Sequence, residues 1–92
     1  MISPEAVKGN LEEWLQNESW KLVYDHAPSD ACKDYLAKMF YASETESEEA
    51  FDAMDDAERN LGLNDLKYVY HIMNGPERAR LAKRIAALES ST

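Results

Sequence analysis

Residues 29–62 read SDACKDYLAKMFYASETESEEAFDAMDDAERNLG, and this stretch decides the fold because it carries the clearest helical pattern in the chain. Apolar side chains recur there at the i, i+3, i+4, i+7, i+8 spacing of one helix face: Cys32, Tyr35, Leu36, Met39 and Phe40. Ser29 or Asp30 is suited to cap this helix. The pattern therefore predicts an amphipathic helix whose apolar face lies in the core.

A second amphipathic helix is predicted directly after the first. The segment Thr45-Glu46-Ser47-Glu48 has the pattern of a capping box, and Gly62 is typical of the position just past a helix. The apolar face of this helix is predicted from five residues: Ala50, Phe51, Met54, Ala57 and Leu61.

Helices are also predicted on the N-terminal side of this stretch. The first runs from about Pro4 to Asn17, with a start at Leu11 as the alternative, because Gly9 weakens its beginning. A break near Ser19 and a short helix before Pro28 follow, since restarting the helical wheel there brings the next apolar residues onto one face. An extended segment over residues 21–24 is the competing interpretation of that short run.

On the C-terminal side, Asn64 is predicted to cap a fifth helix, which ends at Asn74-Gly75. Pro76 then opens a sixth helix, whose stripe includes Leu81 and Ile85.

The composition agrees with a helical protein. Of the 92 residues 45% are apolar and 30% are charged, and three glycines and three prolines are too few for the many turns of an all-β fold. We expect an all-α fold, a compact single-domain bundle of five or six short amphipathic helices over residues 1–92, with a polar C-terminus frayed from about residue 90.

The chain shows no long apolar segment and no basic leader before an apolar stretch. We therefore expect a cytoplasmic protein with no membrane contact. No phosphate-binding, dinucleotide-binding or calcium-loop motif occurs, so no cofactor is expected.

Charge is distributed unevenly. The net charge is −8, with residues 1–66 carrying −11 and residues 67–92 carrying +3. Residues 44–58 hold eight carboxylates and no base. On helical geometry most of them lie opposite the apolar stripe, so they form the candidate partner-binding surface: Glu44, Glu46, Glu48, Glu49, Asp52, Asp55 and Asp56.

We interpret this surface as that of a non-enzymatic protein–protein interaction module. On one helix, eight charges over about 21 Å give about 2.6 Å per charge, between the values for duplex and single-stranded DNA. The specific hypothesis is a small inhibitor or adaptor that mimics nucleic acid and docks on a basic groove of a partner protein, by analogy with phage or mobile-element regulators. The alternative is a solvated face that only keeps the protein in solution.

Residues 65–89 allow a different interpretation, because two helices joined by a short turn can be a helix-turn-helix DNA-binding regulator. Arg78 and Arg80 would then contact DNA. A domain of net charge −8 approaches a polyanion against its own field, so binding to nucleic acid is not expected. The cations of this helix can instead pair with acids of the same chain or of a second copy, which leaves homo-oligomerisation open.

A small metal- or thiol-dependent enzyme around His26 and Cys32 is the second alternative. Its signal is weak, because a zinc site needs a second pair of ligands and Cys32 lies on an apolar stripe. No catalytic or metal-binding residue is therefore assigned.

Glu18 is the one acid that falls on the predicted apolar stripe of the first helix. Tyr41 and Tyr68 lie off the core stripes and are candidate aromatic anchors for a partner.

Overall fold

The structure, a computed structural model, describes residues 2–91 and contains six α-helices and no β-strand in that range. The helices are α1 (Pro4–Trp14), α2 (Glu18–Asp25), α3 (Asp30–Thr45), α4 (Glu48–Glu58), α5 (Leu63–Ile72) and α6 (Pro76–Ser90). The expected all-α bundle of short amphipathic helices is confirmed. Its radius of gyration of 13.0 Å is that of a compactly folded chain of this length.

Helix α3 is the centre of the bundle. The five residues predicted to form its apolar face are all buried, and α1, α2, α4 and α5 pack against it. Helix α6 packs mainly on α5 and buries Leu81. The helix with the clearest sequence pattern is thus also the one that most of the others cover.

Three aromatic rings join α1 and α2 to this central helix. The Trp14 ring stacks on Phe40, with 4.6 Å between the ring centroids. The Trp20 ring meets Phe40 edge-on at 5.3 Å and is tilted against Trp14 at 5.5 Å. Such pairs add to the stability gained from burial alone, so this cluster fixes the N-terminal helices on the core.

Several predicted boundaries in the first half of the chain are wrong by a few residues. Helix α1 begins at Pro4, as predicted, and not at the alternative Leu11, but it ends at Trp14 and not at Asn17. The break comes before Ser19, because the Asn17 side chain accepts hydrogen bonds from the backbone N–H groups of the first turn of α2. Glu18 is accordingly the exposed first residue of α2 and does not end the apolar stripe of α1. Residues 21–24 are helical, so the extended interpretation is wrong.

In the second half, two caps differ from the predictions. Ser47, not Thr45, caps α4, because Thr45 still belongs to α3. Gly62 precedes α5 as its N-cap, in place of Asn64. Its backbone N–H donates to the Asp65 carboxylate at 3.1 Å, and the Ser29 hydroxyl donates to the same carboxylate at 2.8 Å. Asp65 thereby joins the starts of α3 and α5.

The C-terminal helix is longer than expected. Helix α6 continues through Ser90, where the sequence predicts fraying, and Ser91 follows in a turn. Thr92, the last residue of the predicted frayed end, lies outside the described residues.

Candidate functional site

The acidic run does not lie on a single helix. Glu44 belongs to the last turn of α3, and Glu46 follows it with a left-handed backbone (φ 51°) that ends the helix. Ser47 then caps α4 by accepting a hydrogen bond from the Ala50 N–H at 3.2 Å. Glu44 and Glu46 are exposed at the junction of the two helices and do not extend the row of charges on α4. The charge spacing calculated for one continuous helix therefore does not apply to the whole run.

One side of α4 packs on α3. Ala50, Met54 and Ala57 are buried there, as the sequence predicts. Phe51 was expected on the same apolar face, but it is 42% exposed. The strip of α4 that packs on α3 runs along Ala50, Met54 and Ala57. Phe51 follows Ala50 by one residue, so it lies about 100° away from Ala50 around the helix. Phe51 therefore borders the acidic side of the helix.

A second side of α4 faces α6, where its carboxylates are neutralised within the chain. Arg80 contacts Asp55 at 3.4 Å and Glu58 at 3.1 Å, and Arg84 contacts the Glu58 carboxylate at 3.4 Å. Arg84 also donates to the Glu58 backbone carbonyl at 2.8 Å. Only 7% of Glu58 is exposed. Cations of α6 thus pair with acids of the same chain, as one of the sequence interpretations anticipates.

The Tyr35 phenol lies within reach of this charged cluster. Burial raises the pKa of Tyr35, and the negative charges of Glu58 and Glu77 raise it further. Its hydroxyl oxygen is buried and has no hydrogen-bond partner among residues 2–91. Tyr35 therefore stays a neutral phenol beside the ion pairs.

The third side of α4 is solvent-exposed and carries the outward carboxylates, Glu48, Glu49, Asp52 and Asp56. Asp56 pairs with Arg59 at 2.9 Å, but both side chains are more than two-thirds exposed. Glu48 and Asp52 make no ion pair with any residue between 2 and 91. Like charges four residues apart, such as these two, repel each other along a helix.

The outward carboxylates border a groove. Helices α1 and α4 both pack on α3, and between them lies a groove of about 880 Å³. Its apolar lining includes Leu11 from α1, Ala37 and Tyr41 from α3, and Ala53 from α4. Three of the outward carboxylates form its edge on α4: Glu49, Asp52 and Asp56. The groove was not predicted, because it depends on how two helices diverge and not on the pattern of either one.

The two candidate aromatic anchors have different environments. Tyr41 is half-buried in the lining of the groove. Tyr68 is also half-buried, but its hydroxyl donates a hydrogen bond to the Val23 backbone carbonyl and so ties α5 to α2. Of the two, only Tyr41 lines the groove beside the acidic helix.

His26 and Cys32 lie in contrasting environments. Burial, with a smaller effect of the Asp65 charge, raises the pKa of the Cys32 thiol to about 11, which makes the thiolate scarce at neutral pH. His26 is exposed, and its Nδ1 lies 2.9 Å from the Leu22 carbonyl oxygen. Within the described part of the chain, no group of three or more His, Cys, Asp or Glu side chains is arranged to hold a metal ion.

The arginines considered for DNA contact are engaged within the molecule. Arg78 lies over the Tyr70 ring, 4.4 Å from its centroid, which is a cation–π distance. Arg80 is shared among three carboxylates, including Glu77 of its own helix at 2.9 Å. DNA binding through Arg80 would compete with the ion pairs that join α6 to α4.

Comparison with protein families, curated proteins and solved structures identifies no relative of this chain. No protein-family model matches the chain, and no curated protein or solved structure is significantly similar to it. Among residues 2–91, no helix has both the length and the apolar character that crossing a membrane requires.

Proposed function

We propose that this protein is a non-catalytic interaction module that binds a partner protein with a basic surface through the outward carboxylates of α4. The main support is the division of the acidic run between two sides of the helix. Asp55 and Glu58 are held by arginines of α6, whereas Glu48 and Asp52 are exposed and have no ion-pair partner among the described residues. A cationic surface that approaches Glu48 and Asp52 would relieve the repulsion between these two carboxylates without displacing an ion pair of either one.

A more specific form of the proposal is an inhibitor or adaptor that occupies a groove in which the partner otherwise holds nucleic acid. The four outward carboxylates span eight helical rises, or about 12 Å, so neighbouring charges are on average about 4 Å apart. That spacing is slightly wider than that of a single strand (~3.4 Å) and much wider than that of duplex DNA (~1.7 Å). The charge density of the outward side therefore comes nearest to that of a single strand, and fewer residues contribute than the sequence suggests.

The test compares three immobilised proteins in capture from lysate of the native host. They are the wild type, the α4 variant Glu48→Gln/Asp52→Asn, and a control, Glu12→Gln/Asp25→Asn, with the same net charge but exposed changes on α1 and α2. Captured proteins are eluted with rising salt and quantified by mass spectrometry. Elution by salt identifies electrostatic contacts, because the Debye length falls from ~10 Å at 0.1 M to ~3 Å at 1 M.

The proposal predicts at least one basic protein that the wild type and the control retain and that the α4 variant loses. The inhibitor form predicts in addition that nucleic acid displaces this protein from the wild type. Equal retention by the α4 variant and the control would overturn the proposal, and so would capture of nucleic acid in place of protein.

A further inference from the structure

The groove between α1 and α4 offers apolar surface beside the carboxylates. Val7 and Leu11 of α1 and Tyr41 of α3 are only half-buried where they line it, as is Ala53 of α4. Isolated apolar residues are ordinary on protein surfaces, whereas contiguous apolar surface with a charged rim is typical of a binding site. A purely electrostatic contact with the outward carboxylates would leave this apolar lining in water.

The dimensions of the groove fit a short helix. Its lining on α3 extends from Asp30 to Tyr41, which is eleven helical rises or about 16 Å, equal to three helical turns. A helix that lies in such a groove places apolar anchors at positions i, i+3 or i+4, and i+7. The 880 Å³ of the groove is room for the apolar face of a partner helix, whose other side stays in solvent.

The two edges of the groove differ in charge. On the α4 side are Glu49, Asp52 and Asp56, and no lysine or arginine of α4 lines the groove. The three lysines of the lining lie on α1 and α3, where Lys38 pairs with Asp34 at 2.9 Å and Lys33 lies 5.7 Å from the centre of the Tyr24 ring. The described lining has five carboxylates and three lysines in all. An occupant would therefore carry its basic residues on the edge that faces α4.

We infer that the groove binds an amphipathic helix of the partner, with its apolar face on Leu11, Tyr41 and Ala53 and a row of lysines or arginines along α4. This inference rests on the proposed function, since it names the element through which the basic partner is held. It adds that apolar contact in the groove supplies much of the affinity, with the carboxylates setting the orientation.

The test uses a fluorescent synthetic peptide of about fourteen residues (~21 Å as a helix), with leucines at i, i+3, i+7 and i+10 and lysines along one flank. A second peptide has the same lysines but serines in place of the leucines. Binding is measured by fluorescence anisotropy to the wild type, to Ala53→Trp, which fills the groove, and to Asp52→Asn, which removes one charge from its edge. Ala86→Trp is the matched control, because Ala86 is exposed on α6 and does not line the groove.

We expect the leucine peptide to bind the wild type and Ala86→Trp equally, and Ala53→Trp at least about ten-fold more weakly, the equivalent of ~1.4 kcal/mol. Asp52→Asn should weaken binding about two- to five-fold, as for a partly exposed ion pair. The serine peptide should bind at least about ten-fold more weakly than the leucine peptide. Amide chemical shifts of the wild type provide a measurement that does not depend on the folding of a variant, and the peptide should move those of Leu11, Ala37 and Ala53.

Failure of this inference is distinguishable from failure of the proposed function. Equal binding of both peptides, reduced by Asp52→Asn but not by Ala53→Trp, would show that the groove is not the binding site. The acidic side of α4 would then remain as the contact. Self-association of the wild type that Ala53→Trp abolishes in sedimentation would overturn it as well, by making a second copy the occupant. No binding of the leucine peptide to the wild type, or no shift of the groove amides, would also refute the inference.

Discussion

Substitution of Glu58 by glutamine tests whether the ion pairs between α4 and α6 stabilise the fold. Its side chain is 9% exposed, and its carboxylate contacts Arg80 at 3.1 Å and Arg84 at 3.4 Å. Breaking a fully buried pair costs about 3–5 kcal/mol, whereas an exposed pair contributes about 0–1 kcal/mol. The arginine side chains here are 45% and 31% exposed, which places this site between those limits.

Glutamine keeps the shape of the side chain and one acceptor oxygen, so we expect Glu58→Gln to lower the free energy of unfolding by about 1.5 kcal/mol. For a domain of this size that is a fall in Tm of roughly 6–12 °C. The control is Asp56→Asn, because Asp56 and its partner Arg59 are 70% and 74% exposed. The control should change stability by less than about 0.5 kcal/mol.

Thermal and urea unfolding, followed by far-ultraviolet circular dichroism, measure both variants. The difference between them should persist in 1 M salt, because a buried pair is screened much less than an exposed one. A Tm for Glu58→Gln within about 2 °C of that for Asp56→Asn would refute the reasoning, since it would mean that α6 is held by Leu81 and its neighbours alone.

Four further predictions concern three residues outside the acidic helix. Tyr68→Phe should lower the free energy of unfolding by about 0.5–1.5 kcal/mol in urea titrations, because it removes the hydrogen bond to the Val23 carbonyl, and no loss would contradict that contact. Gly75→Ala should lower Tm, because an alanine at the positive φ of 69° costs about 1–2 kcal/mol. The added methyl group would meet open space, so the backbone angle and not a steric clash sets this cost. An unchanged Tm would show that the backbone there is not constrained. Cys32, with a pKa of about 11, should react with a thiol reagent at pH 8 about a hundred-fold more slowly in the folded protein than in denaturant, and equal rates would contradict its burial. The raised pKa stabilises the fold below pH 9, and this contribution should disappear between pH 9 and 11, so that Cys32→Ala loses less stability than the wild type over that range.

The helices could be predicted because each depends on local pattern and capping chemistry. Tyr35, Leu36 and Phe40 recur at helical spacing, and all three are buried in α3. Caps were harder to place, because Ser47 and Thr45 are both capping residues and only the packing of α3 decides between them. Local sequence therefore gives the helices, with errors of a few residues at their ends.

The division of the acidic run could not be predicted from local sequence. Glu58 belongs to the same run of acids as Asp52, yet it is buried because Arg80 and Arg84, more than twenty residues later in the chain, fold onto it. The periodicity of Phe51 predicts a core position, but its place around α4 turns it towards solvent. Such long-range contacts decide which carboxylates of the run stay exposed.

One comparison tests most directly the claim that α4 uses its acids for two separate purposes. The free energy of unfolding and the capture of a basic partner are measured for Glu58→Gln and for Glu48→Gln/Asp52→Asn. We predict that Glu58→Gln lowers stability and, well below its Tm, still captures the partner, whereas Glu48→Gln/Asp52→Asn loses capture at unchanged stability. Loss of capture in Glu58→Gln below its Tm, or full capture by Glu48→Gln/Asp52→Asn, would contradict the account.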